Sequence, residues 1–324
     1  MNDLSAPSVS VILPILNEES DLENCITAIL QQDYDGELEV ILALGPSKDS
    51  TDLIAQKIAA KDKRVKLVKN PTGLTAAGLN LAIKASSFEI ICRIDGHAEI
   101  SKTYIKSAVS IMRETGAVNV GGIMFADSDQ GLQRTVAQAM RSKLGVGPSK
   151  FHTGGGAGES ETVYLGTFKK SAILAAGGFD ERFIRAQDWE LNYRIRKQGG
   201  LIWFDPRLVV TYRPRKTFSK LARQYFQYGR WRRVITRTHS NTSSLRYLAP
   251  PFAVVVNLFS LVSGVFVTPL LLLPLMVYIF TMVIGGFLIG RKITDKLLMP
   301  LVLATMHMSW GLGFITSPKN LLKG

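Results

Sequence analysis

Three clusters in this chain combine residue types and spacings that can do chemistry. Asp95-Gly96-His97 puts a carboxylate and an imidazole two positions apart, behind the apolar run Phe88–Ile94. Gly96 between them permits close backbone approach. The pair offers two ligands to one divalent cation: Mg²⁺ or Mn²⁺ bridging a diphosphate suits the oxygen, and the imidazole favours Mn²⁺. Such a cation would neutralise charge on a nucleoside-diphosphate leaving group. Taken alone, the tripeptide reads better as a solvated turn.

The second cluster is Gly177-Gly178-Phe179-Asp180-Glu181, followed by Arg185–Asn192. The glycine pair and Asp180 read as a turn and a helix N-cap. Asp188 and Glu190 fall near the start of a helix running to about Arg196. Carboxylates there serve the helix dipole, or Asp188 is a general base taking a proton from an attacking hydroxyl; the local sequence leaves both readings open. The third cluster, His152–Glu159, has four glycines in eight residues. It reads as a closing lid or a flexible linker, inside a stretch irregular from about 143 to 162.

These clusters need a scaffold. Val9–Pro14, Leu38–Leu44, Val65–Val68 and Phe88–Ile94 are short apolar runs, separated by helical patterns over Glu18–Gln32, Thr51–Ala60 and Leu74–Lys84. That alternation predicts an α/β fold, a doubly wound and mostly parallel sheet. Ligands in such sheets sit at the carboxyl ends of the strands, where Asn17-Glu18, Gly45–Asp49, Asn70–Gly73 and Asp95–His97 stand. Gly45-Pro46-Ser47 and Pro71-Thr72-Gly73 are ordinary turns on their own. No GxGxxG or GxxxxGK[ST] lies here, which argues against Rossmann dinucleotide and P-loop readings.

Across the 324 residues the net charge is +13, with 46% hydrophobic and 20% charged residues, a composition that excludes wholesale disorder. The excess is uneven: residues 206–324 hold 16 Lys/Arg against one acid, Asp295. Positive charge that punctuates apolar runs points to a membrane, not to nucleic acid. Tyr247–Gly290 is 44 residues without a charge and Leu297–Pro318 another 22. A 44-residue helix would run about 66 Å, twice a ~30 Å hydrocarbon core, so the chain must turn back near Ser263–Pro269. Three transmembrane helices are expected, about 249–266, 269–290 and 297–317. Arg230, Arg232, Arg233, Arg237 and Arg246 precede the first, and Arg291, Lys292 and Lys296 follow the second. By the positive-inside rule the catalytic domain is cytoplasmic and the C-terminus outside, with Lys319 and Lys323 running against the rule. Phe218–Ile235 reads as an amphipathic helix at the headgroups, its cations suited to a lipid phosphate. The domains are then 1–216, 217–246 and 247–318. Cys25 and Cys92 have no disulfide or zinc spacing and read as reduced core thiols. The N-terminus lacks the pattern of a cleaved signal peptide.

Four strings in order and spacing resemble the family-2 glycosyltransferases of the GT-A fold, over about residues 1–240. They are Val9–Pro14 with Asn17-Glu18-Glu19; Asp95-Gly96-His97 in the place of a DxD; Gly177–Glu181 with Gln187-Asp188; and Gln227-Tyr228-Gly229-Arg230-Trp231, similar to QxxRW. The Asp-Gly-His form and the apolar tail look most like the succinoglycan-biosynthesis type. The resemblance implies a membrane-bound inverting transferase that moves a sugar from a nucleoside-diphosphate sugar to a lipid-linked (polyprenyl) saccharide or glycolipid. It would act in exopolysaccharide or cell-envelope glycan synthesis. It implies that Pro14, Asn17 and Glu18 line the nucleotide pocket, that Asp95 touches ribose-diphosphate and metal with His97 beside it, and that Asp188 is the base. Gln227, Arg230 and Trp231 would lie on the acceptor side, Arg230 near the diphosphate and Trp231 stacked on a sugar.

The chain departs from the family pattern after the second strand, where Leu44 stands in place of the usual acid and Asp49 is the nearest substitute. Gln187 replaces the other usual acid and would leave Asp188 without a like-charge neighbour. The alternatives are a polyprenyl-phosphate glycosyltransferase, whose acceptor is already ionised, and a non-catalytic sugar-nucleotide-binding module.

Overall fold

The computed structural model describes residues 6–322. In chain order its elements are β1 (Val9–Ile15), α1 (Leu22–Leu30), β2 (Leu38–Leu44), α2 (Thr51–Lys61), β3 (Val65–Lys69), α3 (Thr75–Ala85), β4 (Ile90–Arg93), β5 (Glu99–Ile100), α4 (Tyr104–Thr115), β6 (Asn119–Ala126) and α5 (Gly131–Met140). There follow α6 (Lys143–Val146), α7 (Lys150–Thr153), β7 (Gly158–Glu159), β8 (Tyr164–Lys169), α8 (Lys170–Ala175), α9 (Gln187–Lys197), β9 (Ile202–Tyr212), α10 (Phe218–Thr238), α11 (Leu245–Phe266), α12 (Leu273–Ile289) and α13 (Ile293–Ile315). The stretch from 143 to 162 is thus partly regular, because Ser142 caps α6 through its side chain.

Two compact units divide the chain: residues 1–124 with 154–211, and residues 125–153 with 212–324. The first is built on a mixed, mostly parallel sheet ordered β3-β2-β1-β4-β8-β6-β9-β5, with β7 beside β9. β1 pairs in parallel with β2 and β4, as apolar runs buried on both faces require. β8 runs antiparallel to β4 and β6. Val11, Leu13, Cys25, Ile26, Ile29, Tyr104 and Ile105 form the centre of its core. Both cysteines are free and buried, and burial pushes the Cys25 thiol up to about 12.

The second unit is helical. Leu245–Phe266, Pro269–Ile289 and Ile293–Ile315 are each long and apolar enough to cross a membrane, by length and composition. Glycines let its helices approach closely: a Cβ on Gly229 would strike the Trp310 carbonyl, and one on Gly313 the Phe226 carbonyl. α10 is therefore packed along α13 and does not lie alone.

Candidate active site

At the carboxyl end of β1 the chain turns through Asn17, held at φ 55°. Its amide donates to Ser47 Oγ (3.1 Å), and its Oδ1 accepts from the Lys48 amide (2.8 Å). The Glu18 amide donates to Thr51 Oγ1 (2.8 Å). These bonds stitch the loops after β1 and β2 into one rim beside Pro14. Asp49 is part of the stitching: one oxygen accepts from Thr51 N (3.1 Å) and Oγ1 (2.5 Å), the other from the Glu19 amide (3.4 Å). The Thr51 hydroxyl bond lowers its pKa, which keeps it an acceptor. Asn70–Gly73 is a local turn, with Asn70 bonded to Thr72 and Leu74.

The loop after β4 enters this rim. A Cβ on Gly96 would lie 2.8 Å from Ile15 Cδ1 and 3.1 Å from Glu18 Cγ, so a larger residue would have to push these side chains aside. His97 consequently sits against Glu18, Nδ1 to Oε1 at 2.9 Å. The Glu18 hydrogen bond raises the His97 pKa, against burial.

Arg93, the last residue of β4, has a side chain only 4% exposed. Its guanidinium donates Nη2 to Asp95 Oδ1 at 3.0 Å and Nη1 to Asp188 Oδ1. One buried cation thus joins two carboxylates 93 residues apart in sequence. Sequence reasoning passed over Arg93, although a lone charge ending an apolar strand was a usable signal: a buried cation must find an acid. Its Nε is buried with no hydrogen-bond partner.

Asp188 reaches Arg93 because α9 starts beside it. Ala186 adopts a left-handed conformation (φ 62°) just before the helix, which places Asp188 in the first turn. Upstream, Gly177 and Gly178 both have positive φ, and Asn80 of α3 pins the turn by bonding Phe179 N (2.9 Å) and O (2.8 Å). Asp180 is no helix cap. It accepts from the Arg182 amide (3.0 Å) in a turn, and α9 begins seven residues later. Glu190 is committed to Arg194 (2.5 Å), so the two acids of this turn have different partners, Arg194 for Glu190 and Arg93 for Asp188. Burial raises the Asp188 pKa, Arg93 lowers it and Asp95 raises it again; the net direction is upward. Asp95 is therefore the like-charge neighbour that replacing the usual acid with Gln187 was expected to remove.

Among the described residues no group of three or more His, Cys, Asp or Glu is arranged to hold a metal ion. A divalent cation here would have two protein donors: Asp95, and His97 through Nε2, whose ring Glu18 holds from the other nitrogen. That is the carboxylate–histidine arrangement metals favour, and a hard cation fills its remaining positions with phosphate oxygens and water. Asp95 and His97 carry the donor types such an ion takes.

Gln227, Arg230 and Trp231 lie on α10, in the helical unit. Trp231 is buried (3% exposed), so stacking on a sugar would require it to be uncovered. Arg230 stands over the Phe226 ring (5.7 Å), its Nε buried without a hydrogen bond.

The sheet, with Asp95 and the helix-borne Asp188 joined through Arg93 at its end, has the architecture of the GT-A fold. Residues 10–173 match the family model described as Glycosyl transferase family 2. Succinoglycan biosynthesis protein ExoA of Rhizobium meliloti is 30% identical over 317 residues, 97% of this chain and 96% of that protein. The chain belongs to glycosyl transferase family 2 and is a glycosyltransferase. A second relative, 26% identical over 98% of both chains, is the dolichyl N-acetyl-alpha-D-glucosaminyl phosphate 3-beta-D-2,3-diacetamido-2,3-dideoxy-beta-D-glucuronosyltransferase of Methanococcus voltae. Among solved structures, the mannosyltransferase PcManGT of Pyrobaculum calidifontis, in complex with GDP-Man and Mn2+, aligns with a TM-score of 0.60. It has 18% identity and covers 97% of this chain and 89% of that one.

Proposed function

We propose that the protein transfers a sugar, with inversion, from a nucleoside-diphosphate sugar to a lipid-linked saccharide at the cytoplasmic face of the cell membrane. The product would enter exopolysaccharide or cell-envelope glycan synthesis. The observation that carries this reading is the Asp95–Arg93–Asp188 bridge, which joins the diphosphate-side carboxylate to the base at the end of the sheet.

In this mechanism Pro14, Asn17 and Glu18 border the nucleotide. Asp95 and His97 would hold a divalent cation, Mn²⁺ or Mg²⁺, which when bound offsets charge on the leaving diphosphate. Asp188 takes the proton of the acceptor hydroxyl as it attacks the anomeric carbon from the side opposite the diphosphate. Its raised pKa makes it a stronger base than an ordinary carboxylate, and Arg93 opposes that rise. Gln227 and Arg230 serve the acceptor side.

A lipid-linked acceptor is supported by the three apolar helices and by the Methanococcus relative, whose name gives a dolichyl-phosphate-linked sugar as its acceptor. Incubating the full chain in lipid with labelled sugar nucleotides tests the reading: one label becomes butanol-extractable, and chelation with EDTA abolishes the transfer. Transfer to bare polyprenyl phosphate in preference to a lipid-linked sugar would instead make the lipid phosphate the nucleophile. No extractable label from any donor would refute both.

A further inference from the structure

α13 is 23 residues long, about 34 Å, and polar partners meet it at its start, its middle and its far end. In its first turn Asp295 is fully buried. It accepts from α5: Arg134 Nη2 at 2.8 Å, Gln138 Nε2 at 2.9 Å and Thr135 Oγ1 at 3.2 Å. Midway, His307 Nε2 donates to the Leu144 carbonyl of α6 at 2.8 Å. At the far end Ser317 Oγ donates to the Arg230 carbonyl (3.0 Å), and Arg237 donates to the carbonyls of Ser317 and Pro318 (both 3.0 Å). α10 runs in the same direction as α13, with Phe226 opposite Gly313 and Arg230 opposite Ser317.

α10 carries six Lys and Arg in 21 residues. A helix so charged does not enter hydrocarbon, and α13 packs along it. α12 runs antiparallel to α13, with Gly286 against Pro300 and Tyr278 near His307. α12 in turn exposes Met276, Phe280 and Phe287. α13 is therefore held among polar groups at both ends, by α5 at its start and by α10 at its far end, while α12 presents an apolar face.

We infer that α13 lies along the membrane surface with both ends at the same face, and that the α12–α13 hairpin dips into the bilayer without crossing it. The surface presented to lipid is the apolar side of α11 and α12, bordered by the cations of α10. This replaces the sequence expectation that the C-terminus emerges on the far side. Charge agrees independently: Arg291 and Lys292 at one end and Lys319 at the other obey the positive-inside rule together only when they share a side.

Cysteine accessibility in the full chain tests this. Cys25 and Cys92 are buried, so the wild type supplies the blank. Arg291→Cys and Lys319→Cys, both at exposed positions, are treated with a membrane-impermeant maleimide in right-side-out and in inverted vesicles. Both should label in the same preparation and lose the label in the other. Labelling of the two positions from opposite sides overturns the inference. Where headgroups shield either thiol, C-terminal fusions decide. A fluorescent protein that matures only in the cytoplasm should light up while alkaline phosphatase stays inactive, and the reverse result overturns the inference.

Discussion

Replacing Arg93 with glutamine removes the cation shared by two carboxylates and should move the acid limb of the pH–rate profile. Arg93 touches Asp188 through Nη1 and Asp95 through Nη2. A unit charge pair about 4 Å apart is worth ~4 kcal/mol at an effective dielectric of about 20. Asp188 keeps 33% of its side chain open to solvent, and screening cuts that figure to ~1.5–2 kcal/mol. At about 1.4 kcal/mol per pKa unit, the Asp188 pKa rises by roughly one unit, with Asp95 now repelling it unopposed. A base works above its pKa and fails as pH falls through it, so kcat/KM of Arg93→Gln should begin to fall about one pH unit higher than in the wild type. Much of the activity should return in alkaline buffer. Stability should also drop by about 3 kcal/mol, toward the low end for losing one member of a buried ion pair, because both carboxylates keep some water. Transfer of labelled sugar between about pH 5 and 9, with thermal melts alongside, measures both. Arg93→Lys should retain most of the limb's position. A variant that loses activity equally at every pH, with the limb unmoved, refutes the coupling.

Other variants probe the remaining parts. Asp188→Asn should lose roughly 10²–10⁴-fold in turnover while still binding nucleotide by calorimetry; unchanged turnover would remove Asp188 from the chemistry. Glu18→Gln removes the hydrogen bond that raises the His97 pKa. Such a pair stabilises fully below the unfolded histidine pKa, and its contribution is lost as pH rises through the folded value. The variant should therefore melt lower than wild type at about pH 5.5 and nearly with it at about pH 8. Asp295→Asn leaves Arg134, 18% exposed, facing a neutral partner, and should cost about 3 kcal/mol, read as a lower melting temperature in detergent.

Much of the sheet could be read directly from the residues. Val9–Pro14 and Leu38–Leu44 are apolar apart from Ser10 and Glu39, which bond each other, because strands buried on both faces need no polar alternation. The antiparallel placement of β8 between β4 and β6 had no such local mark. Asp95, His97 and Asp188 stood out by motif order. The Arg93 bridge did not, since it exists only once β4 and the start of α9 meet. Asp180 looked like a cap because Asp caps helices and makes turns with the same side chain. Apolar length marked the three membrane helices, but a helix that crosses and one that lies flat share that composition; only the partners along α13 separate the two.

Arg134 and Asp295 are 161 positions apart. At synthesis rates of about 5–20 residues per second, Arg134 exists for roughly 8–30 s before its counter-charge is made. Throughout that time α5 lacks this ion pair, and in the last part of it α11 and α12 emerge with their apolar faces bare. The helical unit therefore cannot complete itself as the chain grows. It must be held, by lipid or by a chaperone, until the final helix arrives, and a break in translation anywhere before residue 295 would strand it with no ion pair to close around.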